Sequence, residues 1–166
     1  AFDINLKRIE ELKNGFDRTN EIDMINLSDT NFIEFTSDIN SISKADVFIV
    51  TVPTPINKNK NPDLRALKSA TKTVARALKG RSEIIDNFKK YTIPIVIFES
   101  TVYPGTTEEI CIPIIEQDSG LTCDGNDKSK TFSCGYSPER VNPGDKEHKI
   151  IDIIKVTSGS NIYVSK

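Results

Sequence analysis

Four short clusters of this 166-residue chain carry side chains suited to chemistry. Glu99-Ser100-Thr101 closes an apolar run, and a carboxylate there must find partners or solvent because burying it unpaired is costly. A threonine hydroxyl just beyond it can hold a water or a substrate oxygen. Glu139-Arg140 sits between Pro138 and Pro143, which restrict where both side chains point. A carboxylate beside a guanidinium suits general acid/base work coupled to anion recognition, with a surface ion pair as the plainer alternative. Val52-Pro53-Thr54-Pro55 forms a turn that continues neither a helix nor a central strand, and its Thr54 hydroxyl can meet a ribose or a nicotinamide. Asp3 follows what reads as a strand end, where an acid can hydrogen-bond ribose hydroxyls, and Arg8 stands about a helical turn further on. A helix-capping Asp3 and a solvated Arg8 are the plainer reading.

Three of these clusters follow apolar runs. Phe48 to Val52 precedes Pro53, Ile93 to Phe98 precedes Glu99, and Phe132 to Tyr136 precedes Ser137. Open parallel sheets bind ligands beyond the carboxyl ends of their strands. The segments around Thr54, Thr101 and Glu139 are therefore expected to share one rim. The run from Phe48 to Val52 is apolar on both faces, as a doubly buried parallel strand reads. Between the runs, Leu64, Leu67, Thr71, Val74 and Leu78 recur at helical spacing, with Asn61 as cap, Pro62 in the first turn and Gly80 as terminator. A second amphipathic stretch runs from Ile84 to Tyr91. Thr106 and Glu109 predict a capping box for a helix carrying Ile110, Ile114 and Ile115. Near the start, Asn5 or Asp3 caps a helix with Ile9 and Leu12 on one face, ended by Gly15. Phe32 to Thr36 alternates like a short strand, Leu121 to Lys130 reads as a polar loop, and Ser158-Gly159-Ser160 breaks an apolar run from Ile150 to Val156. The alternation of strands and helices predicts an α/β fold: a Rossmann-like, mostly parallel sheet flanked by helices.

Composition narrows the functions. Hydrophobic residues make up 37% and charged residues 28%, with a formal net charge of -2. That balance argues against disorder and against a surface tracking nucleic-acid phosphates. No apolar run reaches the ~20 residues that span a bilayer, and the first residues do not read as a signal peptide. Cys111, Cys123 and Cys134 are odd in number and lack metal-site spacing, so a cytoplasmic protein with no bound metal is expected, with Cys111 and Cys134 as inert core thiols. His148 lies in a charged run and reads as a surface residue.

Taken together, the motifs resemble the UDP-glucose/GDP-mannose dehydrogenase family. The resemblance runs through Phe2-Asp3-Ile4-Asn5-Leu6-Lys7-Arg8-Ile9, Val52-Pro53-Thr54-Pro55-Ile56-Asn57, Glu99-Ser100-Thr101-Val102-Tyr103-Pro104-Gly105-Thr106-Thr107-Glu108-Glu109 and Gly135 to Asp145. The run Ser137-Pro138-Glu139-Arg140-Val141-Asn142-Pro143-Gly144-Asp145 is most similar to the branch that oxidises UDP-N-acetylglucosamine or -galactosamine for capsule and O-antigen (Vi-type) polysaccharides. Plain UDP-glucose dehydrogenases have a second glutamate where Pro143 stands.

The resemblance implies two NAD-dependent oxidations of a UDP-N-acetylhexosamine at C6, with capture of an aldehyde by a cysteine and hydrolysis of the thioester. It implies that Asp3, Arg8, Val52, Pro53, Thr54, Pro55, Ser100 and Thr101 bind NAD. It gives Thr101 the catalytic water, Glu139 the role of general base, and Glu139, Arg140 and Asn142 the substrate. The full-length family member is expected to be a cytoplasmic homo-oligomer.

Residues 1–160 then read as a partial NAD-binding domain and 161–166 as an atypical tail. The family's first strand and glycine-rich loop are missing before Ala1, as are the central helix with its lysine and asparagine and the domain with the nucleophilic cysteine. This piece is therefore expected to be inactive; a catalytically dead α/β binding or interaction module is the alternative. Isothermal titration of the 166-residue polypeptide with NAD is expected to show only weak binding, because the pyrophosphate cradle is lacking; micromolar affinity would overturn this.

Overall fold

The computed structural model describes residues 1–19, 32–85, 92–140 and 154–165. Two compact units emerge, Ala1–Ile42 and Ser43–Lys166. In the first, helix α1 (Leu6–Lys13) is capped by Asn5, whose side chain accepts from the Arg8 amide, while Asp3 Oδ1 accepts from the Asn5 amide at 2.8 Å. Ile9 is the buried residue of α1, and Gly15 ends the helix at φ +73°. Phe2 and Thr36 form a parallel bridge, so the strand expected over Phe32–Thr36 shrinks to one paired residue. A single turn, α2 (Ile39–Ile42), closes this unit.

The second unit is the sheet. Strands β1 (Val47–Val50), β2 (Ile95–Phe98) and β4 (Thr131–Tyr136) lie side by side and parallel, with β2 in the middle. Two short strands share the far edge of β4. Strand β3 (Thr122–Cys123) runs parallel to its start, and β5 (Ser158–Gly159) runs antiparallel to its end. The mostly parallel, helix-flanked α/β fold read from the sequence is present.

Helices α3 (Arg65–Ile85) and α4 (Ile112–Ser119) pack together, and α3 also packs on β1. Leu67, Ala75, Leu78, Val96, Phe98, Ile115 and Phe132 are essentially inaccessible and form the core. The expectation that β1 is buried on both faces fails. Phe48 and Val50 are buried, but Val47 and Ile49 keep 47% and 58% of their surface, so β1 alternates like a one-sided strand.

Helix α3 also departs from expectation at both ends. It begins at Arg65, where Asp63 accepts from the Arg65 amide. Pro62 instead pairs with Ile56 in an antiparallel bridge that closes a loop around Asn57. The helix runs 21 residues to Ile85 without stopping at Gly80. Gly80 has a packing role, since a Cβ there would lie 3.1 Å from Ser43 Oγ. The rest of the second amphipathic stretch, 86–91, lies outside the described residues.

The predicted capping box at Thr106 and Glu109 is absent as well. Thr106 is already helical and buried, and its hydroxyl turns back to the Tyr103 carbonyl. The chain then makes a π-helical turn (Thr107–Cys111) before α4. The supposed loop 121–130 contains β3 and a 3-10 turn (Lys128–Lys130). Thr131 Oγ1 organises it, donating to the Thr122 carbonyl and accepting from the Gly125 amide. Ser158-Gly159 is likewise a strand and not a break: Gly159 pairs with Gly135, and its missing Cβ leaves room for the backbone of Val164 and Ser165. Residues 150–153 lie outside the described residues.

Two polar anchors hold this unit. Arg81 is 5% exposed and donates to the carbonyls of Lys44 and Ala45, to Asp46 and to Thr92, tying α3 to the entries of β1 and β2. Asp124 accepts from Ser133 Oγ and Asn161 Nδ2, joining β3, β4 and the segment after β5. Burial pushes the Asp124 carboxyl up, but hydrogen bonds from Ser133, Ser160 and Asn161 outweigh it and hold the carboxyl below its ordinary range.

Arg81→Met is expected to cost about 2 kcal/mol in urea unfolding, through carbonyls left unpaired, and Arg81→Lys to recover only part because an ammonium lacks the fork. An unchanged midpoint would refute the anchor. For Asp124 the lowered native pKa means stability that is present above the ordinary carboxylate value of ~3.9 and lost as pH falls through the lower native value. Urea midpoints measured on descending pH should therefore fall less steeply in Asp124→Asn than in the parent. Parallel slopes would show that Asp124 contributes nothing to the acid limb.

Candidate functional site

The site begins with register. Val50 of β1 lies beside Phe98 of β2, which lies beside Tyr136 of β4. The three strands thus leave the sheet at one level. Their exits are then stitched together by the backbone. The Glu99 amide donates to the Val50 carbonyl at 2.8 Å, and the Ser137 amide donates to the Phe98 carbonyl at 3.0 Å.

Two hydroxyls add cross-links. Ser100 Oγ donates to the Val52 carbonyl, and Thr54 Oγ1 donates to the Thr101 carbonyl, both at 2.6 Å. Ser100 is buried by this contact. The turn after Pro55 is held from below, where the Pro55 carbonyl accepts from the Asp63 amide at 2.7 Å. Val52, Pro53, Thr54, Pro55, Ser100 and Thr101 therefore form one crest over β1 and β2. Val52 and Thr54 are half-buried, while Pro53, Pro55 and Thr101 are exposed.

Thr101 keeps its own hydroxyl clear of every described partner, although its carbonyl is engaged. Glu139 and Arg140 stand just beyond the exit of β4. Both are exposed, and among the described residues neither forms an ion pair with the other or with anything else. The plain surface ion pair weighed from sequence is not formed. Asn142 and His148 lie outside the described residues.

Glu99 finds the partner its position demands: Lys155 Nζ sits 2.7 Å from its carboxylate. Sequence reading missed this contact because Lys155 is 56 positions further along the chain and no local spacing announces it. It also missed Ser137, which is 2% exposed and whose Oγ has no hydrogen-bond partner among the described residues.

In the first unit, Asp3 is exposed with Oδ1 taken by the Asn5 amide, so the plain turn-forming role exists and the second carboxylate oxygen is left over. Arg8 is not a solvated side chain. Its Nη2 lies 2.6 Å from Asp17, which is buried and also accepts from the Thr19 amide and hydroxyl. The Nη1 of Arg8 is buried without a partner.

The cysteines stand apart from the crest chemically. Burial raises the Cys111 thiol, raises Cys123 to about 11, and raises Cys134 furthest. All three are protonated thiols at neutral pH, and Cys111 and Cys134 are buried, as expected of inert core residues. Among the described residues no cluster could hold a metal ion.

Known proteins resemble this chain in sequence and in fold. The chain is 48% identical over 164 residues to Protein CapL of Staphylococcus aureus, covering 99% of this chain and 34% of that protein. It is 47% identical over its whole length to the UDP-N-acetyl-D-glucosamine 6-dehydrogenase of Pseudomonas aeruginosa, covering 35% of it. The chain thus spans about a third of the length of these relatives. Among solved structures, the NDP-N-acetyl-D-galactosaminuronic acid dehydrogenase of Methanosarcina mazei Go1 superposes with a TM-score of 0.72 at 25% identity, over 97% of this chain and 33% of that one. The GDP-mannose dehydrogenase ternary complex from Pseudomonas aeruginosa superposes with a TM-score of 0.69 at 26% identity, over 86% and 30%. Residues 1–162 match the NAD binding domain of the UDP-glucose/GDP-mannose dehydrogenase family, and the chain belongs to that family.

Proposed function

We propose that the protein carrying this chain oxidises a UDP-N-acetylhexosamine at C6 to the uronic acid with NAD, in surface polysaccharide synthesis. The observation that carries the reading is the shared crest: three strand exits at one level, cross-linked through Ser100 and Thr54, with an uncommitted Thr101 hydroxyl. Relatives named as UDP-N-acetyl-D-glucosamine 6-dehydrogenases at 45% and 47% identity support the substrate class.

The residues fit the cofactor. On the second unit, Val52, Pro53, Thr54, Pro55, Ser100 and Thr101 supply a rigid ledge of backbone, proline rings and hydroxyls for a dinucleotide. On the first unit, the open Asp3 oxygen suits a ribose hydroxyl. Arg8 serves that site by shaping it through Asp17. NAD, when bound, would accept one hydride in each of two successive oxidations, so that two equivalents of NAD and one water take the alcohol to the carboxylate.

The chain's own residues have separable tasks. Thr101 orients a water or the reacting oxygen through its hydroxyl. Glu139, on a loop with no competing partner among the described residues, takes a proton from water during hydrolysis. Arg140 and Asn142 bind the substrate. The thiol that captures the aldehyde is none of Cys111, Cys123 and Cys134, which burial keeps protonated, so the 166-residue chain by itself turns nothing over. The acting protein is a cytoplasmic homo-oligomer with neither nucleic acid nor membrane as partner. The net charge of -2 offers no basic surface for nucleic acid, and among the described residues no helix is long and apolar enough to cross a membrane.

Steady-state NADH formation from UDP-N-acetylglucosamine and UDP-N-acetylgalactosamine by the whole protein is the test. Glu139→Gln should lower kcat by roughly a hundredfold or more and leave a trapped thioester visible by mass spectrometry of the intact protein. Thr101→Ala should lower kcat by about tenfold or more while leaving the fold intact. Wild-type rates in Glu139→Gln would remove the proposed base.

A further inference from the structure

The Glu99–Lys155 ion pair occupies a particular place in the sheet. Glu99 directly follows β2, and Lys155 stands three residues before β5. Strand β4 pairs with β2 on one side and β5 on the other, through Phe98↔Tyr136 and Tyr136↔Ser158. The two charges therefore join chains two strand positions apart, roughly 10 Å of backbone separation. They meet at the level where β4 leaves the sheet toward Glu139.

The exit of β4 needs such a restraint. Its last ladder bond is the Ser137 amide to the Phe98 carbonyl. Ser137 contributes nothing further, because its buried hydroxyl is unpartnered. Among the described residues no hydrogen bond reaches Pro138, Glu139 or Arg140. Glu99, by contrast, is fixed to β1 through its own amide and is continuous with Ser100 and Thr101, both cross-linked to the first turn. An ion pair that keeps 29% and 41% of its side-chain surface adds little to overall stability, so its value lies in geometry.

We propose that the Glu99–Lys155 pair is a positioning clasp that sets the spacing between Thr101 and Glu139. It rests on the oxidation proposed for the whole protein. Neither residue touches substrate; both act through the segments they join.

The test uses the whole protein with Glu99→Gln, Lys155→Met and the charge swap Glu99→Lys/Lys155→Glu. Each single variant should lose about tenfold or more in kcat, with KM for NAD within about twofold and thermal midpoints near wild type. The swap should regain most of the lost kcat. The Ser137 amide should exchange its hydrogen faster in the singles and recover in the swap. Unchanged kcat in the singles, or slow singles with no recovery in the swap, would overturn the clasp. A wild-type protein that forms no NADH from either sugar sinks the functional reading instead. Exchange then decides the clasp alone: faster in the singles with recovery in the swap keeps it, and no change ends it.

Discussion

Everything at the candidate site depends on β2 lying between two parallel neighbours in one register. Because Val50, Phe98 and Tyr136 are level, the chain must leave the sheet three times within roughly 10 Å. No side chain in the crest creates that coincidence. It follows from the backbone ladder, and Val96 and Phe98, both buried in the core, hold the central strand of that ladder in place. Once the exits are side by side, short polar side chains suffice to link them.

The same logic explains where strength is placed. The heavier polar restraints lie at the opposite end, where strands enter. Arg81 holds the entries of β1 and β2 to α3, and Asp124 gathers β3, β4 and Asn161. The exits carry lighter links, as a ligand-binding rim does when its loops must meet a partner. The family assignment agrees with this division, since the matched region is a cofactor-binding domain and contains no thiol in a reactive environment.

Much of this was legible in the chain before folding was considered. The three main strands, α1 with its Asn5 cap, and the residues of the crest all follow from apolar runs ending at proline-marked turns. What was not legible has physical causes. Gly80 looks like a terminator because a lone glycine usually is one, but tertiary contact with Ser43 uses its missing side chain inside a helix. Ser158-Gly159 looks like a breaker because strand propensity ignores close backbone pairing with Gly135. Thr106 looks like a cap, but its φ and ψ are already helical and its hydroxyl is spent on Tyr103. The Glu99–Lys155 and Arg81 contacts join residues far apart in sequence, so no window of local pattern could show them.

The direction of the crest hydrogen bonds has one more consequence. Ser100 and Thr54 each give their only hydroxyl proton to a backbone carbonyl. Ser100 is buried, so what remains on offer outward is the lone pairs of half-buried Thr54. The proline at each side of Thr54 contributes no amide hydrogen either. This stretch of rim is therefore acceptor-rich, and it rewards a guest that arrives with protons to share, such as a sugar hydroxyl or a primary amide, over one that presents only bare oxygens.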